Sequence, residues 1–132
     1  ANKSSSIDEF AEKFYDKLLD WTWPHPPDRA EWNKDRYFSG SSVEIVPIVA
    51  GILHLTQGDV NQGMIEAASM GRDCDTTASI IGNIAGAMQG ASAVRSDWIA
   101  TVEKANEDFY TEVEGDPSAN IYSVAERLVK VL

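Results

Sequence analysis

The sequence predicts an all-α fold, and three observations carry that expectation. Apolar residues recur at three- and four-residue spacing through almost every segment after residue 40. Capping residues open those segments, and glycines close them. The connections left between them are short, so the chain reads as helix, loop, helix without internal repeats or low-complexity tracts.

Ser6 and Glu9 form a capping box ahead of Ile7, Phe10, Ala11, Phe14 and Leu18, which predicts a helix over about 7–20. Pro24, Pro26 and Pro27 in WTWPHPP end it. Trp21, Trp23, His25 and Trp32 could line a pocket there, although tryptophans more often plug a core edge beneath a long loop. His25 has no second histidine at ligand spacing and reads as a loop residue. Residues 28–36 suggest a short helical turn, followed by the connection YFSGSS. Ser41 with Glu44 is a second capping box, and VEIVPIVAGILHL reads as a buried helix that starts near Pro47 or kinks there. Val and Ile over 43–49 would suit a strand, but the apolar run is too long for one. His54 falls near the helix end, a favourable position in the helix dipole.

Gly58 suits a left-handed helix terminus, and Asp59 with Gln62 caps a helix over about 60–70 that buries Val60, Met64, Ile65 and Ala68 and ends at Gly71. A helix over about 76–91 follows. Ser96 caps a further one, about 97–111, with Trp98, Val102, Ala105 and Phe109 on one face. Its other side carries Glu103, Glu107, Asp108, Glu112 and Glu114, a solvated acidic face. Gly115-Asp116-Pro117 breaks the chain before a last helix, about 119–131, built on Ile121, Val124, Ala125, Leu128 and Val129.

Bulk composition narrows the function. The 132 residues suit one ordinary domain, and the hydrophobic share of 43% is that of a soluble globular chain. A formal net charge of −10, from 21 acidic against 11 basic residues with no basic cluster, argues against a nucleic-acid partner. A phosphate-bearing ligand would need local help from a metal ion or a helix N-terminus. The single cysteine, Cys74, excludes a disulfide framework and points to a cytoplasmic setting. No uncharged apolar run reaches transmembrane length and no signal-type segment opens the chain, so no membrane partner is expected.

The stretch GRDCDTTASIIGNIAGAMQG, residues 71–90, holds the chemistry. Asp73, Asp75 and Thr76 place two carboxylates and a hydroxyl within four residues. In an extended loop Asp73 and Asp75 would project the same way, with Thr76 beside them at the helix start. An all-oxygen set suits Mg²⁺, Mn²⁺ or Ca²⁺ rather than Zn²⁺. Cys74 would point away and is not assigned as a ligand. The ordinary alternative is that Asp75 is a helix N-cap and Asp73 a turn former. Ala78, Gly82, Gly86 and Gly90 then recur every fourth residue, which predicts that neighbouring helices pack close to this one.

Taken together, Gly71, Asp73, Asp75, Thr76, Ala78, Gly82, Gly86, Ala87 and Gly90 give a pattern that resembles the C-terminal signature of the ADP-ribosylglycohydrolases, the group that includes the dinitrogenase reductase-activating glycohydrolase. The resemblance covers about residues 43–106 and extends downstream to Asp97-Trp98-Ile99. It implies an all-α orthogonal multi-helix bundle with two divalent metals, Mg²⁺ or Mn²⁺, as cofactors. It implies that Asp73, Asp75 and Thr76 are metal ligands, with Asp75 bridging both ions. Such a site holds the ribose hydroxyls and positions water to cleave ADP-ribose from a modified side chain, so the expected partners are an ADP-ribosylated protein or a small ADP-ribosyl substrate. Family members are longer, and their N-terminal half adds a G-D-A-x-G loop and a T-D-D-T segment; this chain has no adjacent aspartate pair. The expectation is therefore a single all-α domain or fragment over 1–132 that supplies the C-terminal part of the enzyme and is inactive alone. It would work with an N-terminal half or self-associate through an exposed face. Two other readings are a non-catalytic ADP-ribose-binding or structural relative with an incomplete metal site, and a different Mg²⁺ enzyme acting on a phosphorylated substrate. The second of these lacks a doubled DDxxD motif or a P-loop.

Overall fold

The computed structural model describes residues 6–21, 42–116 and 118–131. These are all-α, with no strand among the described residues: α1 (Ile7–Trp21), α2 (Ser42–Leu55), α3 (Val60–Ser69), α4 (Cys74–Gln89), α5 (Ser96–Ala105), the one-turn α6 (Glu107–Phe109) and α7 (Ile121–Val129). A 3₁₀ turn, Ala91–Ala93, follows α4, and a π turn, Tyr110–Glu114, follows α6. The chain forms two compact units, Ala1–Ala93 and Val94–Leu132. Trp23, His25 and Trp32, offered as core-edge plugs, loop residue or pocket lining, the turn over 28–36 and the Ser41 cap lie outside the described residues.

The core of the first unit is built on α2. Ile45, Ile48, Val49 and Ile52 line one side of that helix, and Phe10 of α1, Ala67 of α3 and Ile81 of α4 pack around them. Ile52 and Ile81 are wholly excluded from solvent, and burial of such a side chain contributes about 1.5–3 kcal/mol. The opposite side of α2 carries Val46 and Pro47, both exposed. The helix begins at Ser42 and runs through Pro47 instead of starting there. The carbonyl four residues before the proline loses its helical partner on the wet side, where water can replace it.

The turn from α2 into α3 is a Schellman arrangement. The Gly58 N–H donates to the Leu53 carbonyl at 2.9 Å and the Gln57 N–H to the His54 carbonyl at 3.3 Å. Both residues are left-handed, Gln57 at φ 54° and Gly58 at φ 79°, so Gln57 occupies the position expected for Gly58 alone. Asp59 then caps α3 as expected, its carboxylate accepting from the Gln62 N–H at 2.7 Å.

α3 and α4 form an antiparallel hairpin. The Val60 N–H at the start of α3 donates to the Gln89 side-chain oxygen at the end of α4, 3.1 Å, and the Asn61 amide donates to the Ala93 carbonyl, 2.8 Å. The closest approach is reciprocal: Ile81 of α4 sits on Gly63, and Met64 of α3 sits on Gly82. A β-carbon at Gly63 would stand 2.8 Å from Ile81 Cγ2, and one at Gly82 would stand 2.9 Å from Met64 Sδ. The glycine stripe is therefore only partly a packing device. Gly82 admits α3, but nothing lies within 4 Å of a β-carbon at Gly86 or Gly90 among the described residues, and Gly90 is the C-cap of α4, at φ 83°. The buried line of α4 is Thr77, Ile81 and Ala85, one residue before each small one. α3 is likewise rotated from its expected face. It buries Val60, Gly63 and Ala67, while Ile65 and Ala68 are exposed, because Gly63 lets the hairpin close on its own side.

In the second unit Arg95, not Ser96, is the N-cap of α5. Its guanidinium lies 2.7 Å from Asp97 and 4.8 Å from the Trp98 ring centroid. That hydrogen-bonded pair holds Asp97 below and Arg95 above their usual ranges. The helix expected over 97–111 stops at Ala105, where Asn106 leaves helical geometry (φ −110°, ψ 8°) before α6. Glu103 is more than a solvated charge: its carboxylate accepts from the Ile121 N–H at 2.8 Å, at the start of α7. Asn120 and Ser123 complete a capping box there. Trp98 is half-buried, and Val102, Phe109, Leu128 and Val129 of the expected apolar faces are exposed.

Two glycines give opposite expectations. Gly63→Ala forces Ile81 to shift in a packed interior and lowers stability by about 1–3 kcal/mol. Gly86→Ala meets no neighbour and gains helix propensity, raising stability by up to about 1 kcal/mol. Urea midpoints moving the same way for both variants would contradict this packing.

Candidate metal-binding turn

Between α3 and α4 the chain reverses in four residues, Met70 to Asp73. Met70 keeps the last turn closed, its N–H donating to the Ala67 carbonyl at 3.2 Å. Gly71 (φ 77°) and Arg72 (φ 57°) then both adopt the left-handed conformation. For glycine this costs little, whereas for arginine it costs roughly 1–2 kcal/mol. Arg72 is held by its side chain. The guanidinium grips the carboxylate of Glu44 through both donors, Nε to Oε1 and Nη2 to Oε2, the second at 2.9 Å. Glu44 lies in the first turn of α2 and is 4% exposed, the most buried charge among the described residues. The N-terminal end of α2 adds a favourable field to the paired carboxylate. Tyr15 of α1 faces the same place. Burial first, then the charge of Glu44, pushes its hydroxyl above the ordinary tyrosine range, Arg72 opposes that, and Cys74 adds to it.

Asp73 follows as the N-cap of α4, with φ −82° and ψ 55°. Its carboxylate makes no bond to the backbone of the first turn and instead accepts from the Thr76 hydroxyl, Oγ1 to Oδ1 at 2.9 Å. Its carbonyl accepts from both the N–H and the hydroxyl of Thr77, at 3.2 and 2.9 Å. The two threonines therefore divide the work. Thr77 points into the core, buried, and Thr76 turns its oxygen toward Asp73.

The extended loop expected to align Asp73 and Asp75 is not what forms. α4 begins at Cys74, so Asp75 is its second residue and lies exposed in the first turn. The carboxylates share a helix N-terminus, which favours both negative charges and explains why the helix starts early. Asp73 and Thr76 are brought together, while Asp75, in the same first turn, is exposed to solvent. Cys74 is a free, half-buried thiol. Among the described residues no group of three or more His, Cys, Asp or Glu side chains is placed to hold a metal. The donor chemistry is nevertheless right for a hard cation, since Asp73, Asp75 and Thr76 offer oxygen alone.

Sequence reasoning passed over Glu44, Arg72, Tyr15 and Thr77 as parts of this turn. For Glu44 the signal was present: a lone carboxylate inside VEIVPIVAGILHL needs a cationic partner if that run is buried. A shallow depression on α7, lined by Tyr122, Ala125, Glu126, Val129 and Lys130, contains none of the turn residues.

An all-α chain with a carboxylate-bearing turn at a helix N-terminus is the class of protein defined here. Residues 2–132 match the ADP-ribosylglycohydrolase family, and the chain belongs to it. No curated protein and no solved structure matches the chain.

Arg72→Ala leaves Glu44 buried and unpaired, and unfolding should become easier by about 3–5 kcal/mol. Asp73→Asn keeps an acceptor for Thr76 and should cost less than about 1 kcal/mol. Chemical denaturation of the two variants side by side checks the ranking, and equal losses would refute it.

Proposed function

We propose that this chain supplies Asp73, Asp75 and Thr76 to the divalent-cation site of an ADP-ribosyl hydrolase. The observation that carries the reading is the pairing of the Thr76 hydroxyl with Asp73 at 2.9 Å, at the helix end whose first turn also carries the exposed Asp75. That hydroxyl keeps its lone pairs while it donates, so all three side chains can turn oxygen toward one ion. Asp75, open to solvent and carrying two carboxylate oxygens, is the residue of the three best suited to contact two ions. A bound Mg²⁺ or Mn²⁺ would supply Lewis acidity, water activation and a template for the ribose hydroxyls. The chain's own residues orient the donors: Asp73 fixes the Thr76 hydroxyl, and α4 holds Asp75 at a set distance along its first turn. The substrate class is a glycosidic bond between ADP-ribose and a modified side chain, following the family. An ion is also what brings a diphosphate to a chain of net charge −10.

Three protein oxygens hold a hydrated Mg²⁺ only weakly. In this reading the remaining ligands come from an N-terminal portion of the enzyme, and the present chain alone turns over little substrate. A second reading, a non-catalytic relative that keeps the turn as architecture, draws on the described ligand set, which reaches no cluster of three carboxylates or imidazoles.

Release of ADP-ribose from an ADP-ribosylated peptide with Mg²⁺ decides between them. The chain mixed with the N-terminal portion of a family member should show activity that Asp75→Asn lowers by a hundredfold or more, on the order of the about 3 kcal/mol expected for a lost metal contact. Activity unchanged by Asp75→Asn would sink the first reading. An inactive mixture, with no heat on titration with Mn²⁺ and ADP-ribose, would favour the second.

A further inference from the structure

We propose that Glu44 and Arg72 are positioning residues for cation binding at the Asp73–Thr76 turn, a step that rests on the function proposed above. Arg72 immediately precedes Asp73, and its left-handed backbone sets the direction in which the chain enters α4. That conformation is unfavourable for arginine, so something outside the backbone must hold it. The bidentate grip of Glu44 does so, and it is directional: a planar guanidinium meeting both carboxylate oxygens fixes orientation as well as distance.

Glu44 in turn cannot drift. It is buried in the first turn of α2, and the next residue, Ile45, is part of the core. The pair thus links the best-packed helix of the unit to the residue next to the first ligand. Neither Glu44 nor Arg72 needs to touch the ion. They act through the backbone of Gly71 to Asp73, and residues that orient metal ligands typically change affinity by about 10–100-fold when altered.

The pair also accounts for a feature of the turn that capping alone does not. Asp73 sits at an N-cap yet leaves the first-turn backbone N–H groups without its side chain and holds the Thr76 hydroxyl instead. An N-cap with φ −82° and ψ 55° is rotated away from the extended geometry of Asp59, which does bond back to its helix. Arg72 is the residue whose conformation fixes that rotation.

The test is Mn²⁺ binding to the full chain, read from loss of the free-ion electron paramagnetic resonance signal. Three variants are compared with the parent: Arg72→Lys, which keeps the charge but loses the fork; Glu44→Gln with Arg72→Gly, which removes both charges and relaxes the left-handed residue; and Asp59→Ala, which removes the N-cap of α3 and lowers stability without touching the pair or the contact of Ile81 with Gly63. The first two should bind Mn²⁺ at least roughly tenfold more weakly, with Asp59→Ala unchanged. If the double variant fails to fold, Arg72→Lys and the amide hydrogen exchange of residues 73–77 carry the test, and unchanged exchange together with unchanged affinity overturns the proposal. Parent-like Mn²⁺ affinity in both pair variants overturns the positioning role and leaves the metal site standing. Equal weakening in Asp59→Ala assigns the loss to general stability and also overturns it. A parent chain that binds no more Mn²⁺ than Asp75→Asn removes the site itself, and this inference with it.

Discussion

The ion pair between Glu44 and Arg72 is the constraint on which the first unit depends. A carboxylate that is 4% exposed and flanked by Ile45 has few acceptable states. It must be neutral, paired or solvated by fixed dipoles, and here it has a bidentate guanidinium and the N-terminus of its own helix. The partner comes from a residue 28 positions away in sequence, inside a four-residue reversal. Delivering that guanidinium forces Arg72 to φ 57°, and the left-handed Gly71 before it completes the reversal. The start of α4, and so the placement of Asp73, follows from satisfying one buried charge.

The hairpin of α3 and α4 sets the other boundary of the turn. Two helices this close can slide along one another unless their contact is keyed. Ile81 over Gly63 and Met64 over Gly82 are such a key, because each large side chain fills the space the facing glycine leaves. Gln89 and Asn61 fasten the far end with side-chain hydrogen bonds. With one end tied and the middle keyed, the reversal at Met70–Asp73 has little freedom in where it places the first turn of α4. The ion pair then fixes its orientation. Position comes from apolar packing, and direction comes from charge.

Much of this was legible in the chain, and the failures share a cause. The helices over 7–20 and 60–70 were readable because spacing and caps are local properties, and Asp59 behaves as its sequence context says. The start of α4 was misplaced by two residues because Cys74 and Asp75 look like loop residues, although Asp75 is stabilised in a first helical turn. Which face is buried proved harder. α3 turns about Gly63 and α4 about the Thr77–Ile81–Ala85 line, and a glycine that receives a neighbour's side chain is invisible to hydrophobic periodicity. Asp73, Asp75 and Thr76 were singled out by their chemistry, but their arrangement was not foreseen, since alternation along a strand does not apply within a helix. That Glu44 needed a cation was legible from its apolar surroundings, but that Arg72 supplies it was not, since charge pairing over 28 residues leaves no local spacing signal.

The electrostatics of the turn bear on the proposed ion. A helix N-terminus carries roughly half a positive charge, which by itself favours anions such as phosphate. Here that end presents Asp73 and Asp75, and two carboxylates outweigh half a charge of opposite sign. The local field is therefore reversed: α4 stabilises the carboxylates, and the carboxylates make its end attractive to a cation. Arg72 does not cancel this, because its charge is spoken for by Glu44 on the core side of the turn. A guanidinium left unpaired next to Asp73 would compete with a divalent ion for the same oxygens. Drawing Arg72 into a bidentate pair with a buried carboxylate keeps it from that competition, so one contact both shapes the turn and leaves its oxygens available.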